Sequence, residues 1–364
     1  MTLFQRNCVS LHKCLTNTTI MTEYSNKINW MLTPNIQDEP LVLDLFAGCG
    51  GLSLGFEAAG FRTIGYEMVE AAVDTYNRNL KGKCYNQFLE VGFEYPEIDK
   101  IDIVIGGPPC QPFSRFGNQM GIDDARDGFP VFIDAVRRIR PRVFMFENVA
   151  NILGRHKWYL ELIVSELRKL GYIVEYRVVN AVDYGVPQNR ERLICVGHQA
   201  SFNFPRKEQK RTTVKEAIGD LMTGYDENSK FLTPEQERYI AVYEEKSHCI
   251  TPRDLHPDKP ARTITCRNLA GATSDMQRVK LPDGRRRRIE VREAARLQSF
   301  PDWFEFCGTE TRQFYQIGNA VPPLLAYKLA VALKQTYDMP IRQYDEIRNI
   351  NIFQEQTLFD AACV

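Results

Sequence analysis

The stretch Leu41-Val-Leu-Asp-Leu-Phe-Ala-Gly-Cys-Gly-Gly51 decides the fold. A short apolar run ends in a cluster of glycines, and Leu52 to Ala59 then reads as a helix stopped by Gly60. That order is the mark of a strand buried on both faces of a parallel sheet, followed at once by a crossover helix. Glycines at such a first turn let the backbone bend tightly and approach a ligand at the carboxyl end of the strand. Working outward, Thr63 to Glu67 reads as a second strand and Val69 to Asn79 as a second helix. Ile101 to Ile105 and Arg142 to Phe146 are two more buried strands. Trp158 to Leu170 is an amphipathic helix closed by Gly171, and Tyr172 to Val179 and Arg192 to Val196 are further strands. This alternation predicts an α/β fold with a doubly wound, Rossmann-like sheet.

The alternation stops near His198. Residues 199–288 are polar and turn-rich, after which Val291 to Leu297 and Pro322 to Thr336 read as helices. The expected organisation is a main domain of residues 39–198 plus 289–340, a smaller inserted domain at 199–288 and a C-terminal tail at 341–364. Residues 1–38 lack clear periodicity and are rich in Thr and Asn, so a poorly ordered extension is expected there, with Met21 and Met31 as alternative starts.

Composition narrows the class. The chain has 364 residues, 44% of them hydrophobic, which is ample for a packed core. Its 46 basic and 46 acidic residues balance. That argues against a generally adhesive nucleic-acid coat, though not against a local basic groove. No apolar run reaches the ~18 residues that a membrane span needs, and residues 1–20 lack the long apolar stretch of a secretory signal. The protein is therefore expected to be soluble and cytoplasmic. Ten cysteines occur without any Cys-x-x-Cys pair, so no metal site is expected and most thiols should be free and buried.

Cys110 stands apart from that pattern. In Asp102-Ile-Val-Ile-Gly-Gly107-Pro108-Pro109-Cys110-Gln111-Pro112-Phe113-Ser114 a buried strand runs into two glycines, two prolines and a cysteine. Prolines restrict the backbone and would hold a thiol rigidly at the sheet edge, as a nucleophile requires. Phe144-Met-Phe-Glu147-Asn148-Val149 ends an apolar run in a carboxylate, a costly placement unless the group is paired or catalytic. Gln188-Asn-Arg190-Glu-Arg192 sets two arginines at alternate positions, on one face of an extended segment, ready for phosphate or carboxylate. A surface charge pair fits those two arginines equally well. Glu67, ending the second strand, is placed for ribose hydroxyls, and the apolar Met68 beside it favours an adenosine ligand. Taken alone, the glycine turn also suits a nicotinamide or flavin site, or a structural turn.

In order, Asp44–Gly51, Gly107–Ser114, Glu147–Val149, Gln188–Arg192, Arg292–Pro301 and Gln316–Pro322 resemble the DNA (cytosine-5)-methyltransferase family, across nearly all of residues 41–335. The resemblance implies S-adenosylmethionine as cofactor, lined by Phe46, Gly48, Cys49, Gly51, Glu67, Met68, Pro109, Asn319 and Val321. It implies Cys110 as nucleophile, with Glu147, Arg190 and Arg192 holding a flipped cytosine. A thiolate adding to carbon 6 makes carbon 5 nucleophilic enough to take a methyl group, and a carboxyl facing ring nitrogen 3 makes that addition feasible. The insert falls where the family keeps its target-recognition domain. Residues 246–288 hold eleven basic and four acidic residues, a net charge of +7. Ser114, Gln188 and the run Arg285, Arg286, Arg287 and Arg288 are accordingly expected to contact double-stranded DNA. The compact layout resembles a bacterial modification enzyme, acting as a monomer and paired with a restriction endonuclease.

One departure concerns the acidic residue that the family usually places after the third strand for the adenine amino group. The corresponding region here reads Asn86-Gln-Phe-Leu-Glu90, and no residue is assigned. Two other functions use related motifs. A tRNA cytosine methyltransferase carries Cys-Phe-Thr in its target domain, whereas Cys266 here is followed by Arg267-Asn268. A catalytically inactive DNA-binding regulator would not need Cys110, Glu147, Arg190 and Arg192 together.

Overall fold

The computed structural model describes residues 21–37, 40–96, 98–109, 127–154, 156–248, 253–270 and 275–362. Cys110 and Ser114 lie outside the described residues. Seven strands form the central sheet: β1 (Leu41–Leu45), β2 (Arg62–Glu67), β3 (Lys83–Asn86), β4 (Ile101–Gly106), β5 (Val143–Val149), β6 (Ile173–Asn180) and β7 (Glu191–His198). Their order is β3-β2-β1-β4-β5-β7-β6. Neighbours from β3 to β5 pair in parallel, while β7 runs antiparallel to both β5 and β6. The link from Asn180 to Glu191 holds only a short 3-10 turn at Ala181–Tyr184. A parallel crossover needs about a dozen residues or more, so the chain returns as a hairpin and β7 is reversed.

Helices cover both faces. Along the chain they are α1 (Glu23–Met31), α2 (Gly51–Ala58), α3 (Glu70–Asn79), α4 (Phe129–Ile139), α5 (Lys157–Lys169), α6 (Val214–Ile218), α7 (Pro234–Ser247), α8 (Cys266–Ala270), α9 (Val291–Leu297), α10 (Glu310–Asn319), α11 (Pro323–Asp338) and α12 (Tyr344–Ala362). Val42, Ile103, Ile105, Met145 and Val196 of the sheet pack with α2 and α11 on one side. Leu43, Leu45, Val104, Phe144 and Phe146 pack with α4 and α5 on the other. Each fully buried aliphatic or aromatic side chain contributes roughly 1.5–3 kcal/mol, so the two layers fix the sheet firmly. The α2–α11 crossing is close because position 55 has no side chain: a Cβ at Gly55 would sit 2.4 Å from the Tyr327 backbone nitrogen.

Three features differ from the sequence reading. Residues 21–37, expected within a poorly ordered extension, include α1, whose Tyr24 and Ile28, with Leu32 just beyond its end, are buried. Those residues recur every four positions, a helical stripe that polar neighbours disguise. Trp303 Nε1 donates to Asn29 O at 3.1 Å, and the Asp302 amide donates to Asn29 Oδ1 at 2.6 Å, pinning the helix. The C-terminal tail is largely α12, held by Asn351 Nδ2 donating to Tyr172 O at 2.9 Å. Finally, the insert is packed onto the main sheet body: Val214, Ile218, Ile264 and Val279 join the α2/α11 core. Its hairpin, β8 (Arg278–Lys280) and β9 (Arg286–Arg288), is antiparallel.

Candidate active site

The loop after β1 is shaped by left-handed backbone. Phe46 (φ 61), Gly48 (φ 56) and Gly50 (φ 86) all lie in the region that glycine tolerates best. Glu67, at the end of β2, accepts from the Gly48 amide at 3.0 Å and from the Val69 amide at 2.9 Å. One carboxylate thus ties the loop to the neighbouring strand and still presents free lone pairs. Met68 beside it is 63% exposed. A Cβ on Gly48 would meet nothing within 4 Å, so open space lies directly over the turn. At Gly51 the reverse holds, since a Cβ there would lie 2.6 Å from Val321 O. The helix start is therefore in close contact with the chain just beyond α10, where the buried Val321 follows the exposed Asn319 that ends the helix. Cys49 is buried, its thiol bonded to Gln316 O at 3.7 Å, and burial pushes the thiol up to about 12. It packs the loop and is no nucleophile. Asp44 is enclosed beneath the same loop, where burial raises its carboxyl to about 7 despite the Ser53 hydroxyl bond.

The second half of the site lies at the ends of β4, β5 and β7. Beyond β4 the chain continues through Gly107, Pro108 and Pro109. Asn148 Nδ2 donates to Pro108 O at 3.0 Å, and the Gly128 amide donates to Pro109 O at 2.9 Å. Pro109 is thereby fixed immediately before Cys110 in sequence. Glu147 Oε2 lies 3.9 Å from where a Gly107 Cβ would stand, so the carboxylate sits directly beside the Gly107–Pro109 segment. On the antiparallel β5–β7 pair, Glu147 faces Ile194 and Val149 faces Arg192. Arg192 Nε reaches Glu147 Oε1 at 2.7 Å, with the two side chains 13% and 12% exposed. This is a recessed ion pair, stronger than a surface pair because its surroundings screen it less.

The structure places several residues expected at the base or at DNA elsewhere. Arg190 does not join Arg192 beside Glu147. It is 1% exposed and donates to the carbonyls of Ile264, Gly318 and Ala320. Burial, with the Arg192 charge adding, pulls its guanidinium well below the ordinary arginine value. Gln188, expected at DNA, is buried and bonded to Leu297 O and Gln298. Arg286, Arg287 and Arg288 of the basic run are engaged within the chain, while Arg285 stays at the surface with 49% of its side chain exposed. Arg285 pairs with Asp283 and lies over the Tyr225 and Phe231 rings. Arg286 pairs with Asp254, Glu237 and Glu244. Arg288 donates to Leu269 O and Ala270 O. Arg287 has 0% exposure and forms a two-pronged bond to Glu293 at 2.7 and 2.8 Å, so phosphate contact by Arg287 is corrected. The physical reason is strand alternation: β9 turns Arg287 inward, where only a carboxylate makes its charge tolerable. Sequence reasoning passed over Gly107, Asn148 and Gly128; the polar Asn after the strand-ending Glu147 was the available signal for one of them.

Among the described residues, no group of three or more His, Cys, Asp or Glu is arranged to hold a metal ion, and no helix is long and apolar enough to cross a membrane.

Comparison with known proteins agrees with this geometry. A type II methyltransferase, M.AplI of Arthrospira platensis, is 56% identical over 309 residues, covering 84% of this chain and 89% of that protein. The type II methyltransferase M.FnuDI of Fusobacterium nucleatum is 33% identical, covering 88% of this chain and 99% of its own. The S. pombe Dnmt2 methyltransferase structure aligns with a TM-score of 0.64 at 16% identity, over 83% of this chain and 100% of that one, a likeness of fold alone. The model of the family described as C-5 cytosine-specific DNA methylase matches residues 41–335, and the chain belongs to that family.

Proposed function

We propose that this DNA cytosine methyltransferase modifies carbon 5 of a cytosine flipped out of a specific double-stranded sequence, with Cys110 as covalent nucleophile and S-adenosylmethionine as donor. The observation that carries the reading is the Glu147–Arg192 pair, held 2.7 Å apart at the end of the strand beside Gly107–Pro109. The residues present suit the donor. Open space over Gly48, the Glu67 carboxylate beside it, exposed Met68, and the Asn319–Val321 segment against Gly51 would hold an adenosine with a charged sulfur. Phe46 and Pro109 close the side toward the reacting base. When bound, that group supplies an electrophilic methyl.

The chain's own residues supply the rest. The Cys110 thiolate adds to carbon 6, forming a carbon–sulfur bond and moving the ring electrons onto carbon 5. Glu147, aimed at ring nitrogen 3, supplies the proton or hydrogen bond that makes the addition feasible. Arg192 fixes the carboxyl group in place and orients it. Once carbon 5 has taken the methyl, loss of its proton re-forms the double bond and expels the thiolate. Because Glu147 and Arg192 are recessed, a base stacked in a duplex would not reach them, which is why the target must leave the helix.

Residues 199–288 would choose the sequence, acting on DNA in the bacterial cytoplasm as a monomer. The type II relatives favour a place opposite a restriction endonuclease that cuts the same unmodified site. Bisulfite sequencing of plasmid DNA treated with the enzyme tests the reading. Wild type should protect cytosines at one recurring sequence, and Cys110→Ser should protect none while still binding S-adenosylhomocysteine. Substantial protection by the serine variant would remove Cys110 from the chemistry.

A further inference from the structure

Gln188, Arg190 and Gln298 form a buried polar seam where four segments remote in sequence meet, at 188–190, 264, 297–298 and 317–320. Arg190 Nη1 donates to Ile264 O at 2.6 Å, and its Nη2 donates to Gly318 O at 3.1 Å and Ala320 O at 3.0 Å. Gln188 Oε1 accepts from the Ile264 amide at 3.0 Å, and its Nε2 donates to Leu297 O at 2.9 Å and to Gln298. Gln298 in turn donates to Ile317 O and Ala320 O, both at 2.9 Å. Ile264 lies in the stretch 199–288, and residues 317–320 are the last turn of α10 and its C-cap. The backbones are nearly in contact there: a Cβ at Gly318 would lie 2.2 Å from the Cys266 nitrogen.

Arg190 bonds carbonyls only, so its charge is compensated by no bonded carboxylate. A buried cation so placed is expensive, and a neutral brace would stabilise the fold at lower cost. What a guanidinium offers instead is a rigid planar fork that fixes several acceptors in one geometry. Those acceptors lead to different places. Gly318 and Ala320 flank Asn319 and precede Val321, which abuts Gly51 at the cofactor loop. Ile264 lies on the insert. Two residues along the chain from Arg190, Arg192 holds Glu147.

We propose that Arg190 is a positioning residue that couples occupancy of the cofactor pocket to the seating of DNA against the insert and the Glu147–Arg192 pair. This rests on the functional reading above. Any shift of the Asn319–Val321 segment on cofactor binding is passed through one rigid fork to Ile264 and to the start of β7. By linkage, DNA must then change cofactor affinity by the same factor that cofactor changes DNA affinity.

The test is the dissociation constant of S-adenosylhomocysteine, measured by titration calorimetry with and without a duplex carrying the mapped target site. Wild type should bind it more tightly with duplex, within the ~5–150-fold range usual for such coupling. Arg190→Lys should bring the ratio toward one, since a single ammonium cannot span three carbonyls. Gln298→Met, which removes the bonds to Ile317 O and Ala320 O, should reduce the ratio as well, and it decides the matter if Arg190→Lys does not fold. Arg296→Lys is the control. Arg296 is also buried but bonds Asp220 and Asp302, so its loss should lower Tm and leave the ratio intact. A folded Arg190→Lys or Gln298→Met with the wild-type ratio overturns the proposal, as does a ratio lost equally in Arg296→Lys. Wild type that binds S-adenosylhomocysteine without any effect of duplex overturns the coupling and leaves the functional reading standing. Wild type that binds none overturns both.

Discussion

Glu147 shows how one carboxylate acquires a role from its neighbours. It lies among the last residues of β5, just after the buried apolar run Val143–Phe146, beside Gly107, and is paired with Arg192 from the reversed strand. Glu147→Gln keeps the shape and some hydrogen bonding but supplies no acidic proton. General acid–base assistance is usually worth ~10²–10⁴-fold, so methyl transfer to DNA should fall by about that range while S-adenosylhomocysteine affinity changes little. Single-turnover rates within a few-fold of wild type would mean that another group activates the ring. At this scale the sequence was informative where a residue type is costly for its context, as with Glu147 after Phe146, which the structure pairs with Arg192. It was uninformative where a charge acquires its meaning from a distant partner. Arg190 and Arg192 are two positions apart and chemically identical, yet one meets Glu147 and the other meets carbonyls from residues 264, 318 and 320.

Elements were legible in proportion to their apolar regularity. Strands β1, β2, β4 and β5 were read from the sequence, the clearest being the continuous apolar runs of strands buried on both faces, whereas β3 was missed because three of its four residues are exposed. α4 escaped notice although Val131, Phe132, Ala135 and Val136 have helical spacing, since it follows a glycine and proline-rich approach. The hairpin β8–β9 was read as a basic patch because a run of four arginines looks solvated. In the structure the strand alternates, and Arg287 goes inward to Glu293 on α9. Breaking a buried ion pair by removing one partner costs ~3–5 kcal/mol. Arg287→Ala should therefore lower the denaturant midpoint sharply, and the effect of salt on DNA affinity should be no flatter than in wild type at temperatures where the variant is folded. An unchanged midpoint with a flattened salt slope would restore Arg287 to the DNA surface.

Across the whole molecule, the parts needed for two-substrate chemistry come from opposite halves of one sheet. The β1–β2 side carries the glycine loop and Glu67, while the β4–β5–β7 side carries Pro109, Glu147 and Arg192. α11 returns the chain from the insert to α2, bringing Asn319–Val321 against Gly51. An insert between the sheet and the returning helix was expected because motifs lie on either side of a region without periodicity. The way the insert shares the main core was not visible, since apolar residues such as Ile264 and Val279 are isolated in a polar stretch and show their purpose only when packed. The central claim is covalent catalysis by Cys110, and trapping measures it most directly. A duplex carrying 5-fluorocytosine at the mapped target should form, with S-adenosylmethionine present, a protein–DNA adduct stable to denaturing electrophoresis, because fluorine cannot leave carbon 5 as a proton does. Peptide mapping should place the bond on Cys110. Active enzyme that forms no adduct, or an adduct on another residue, would contradict the account.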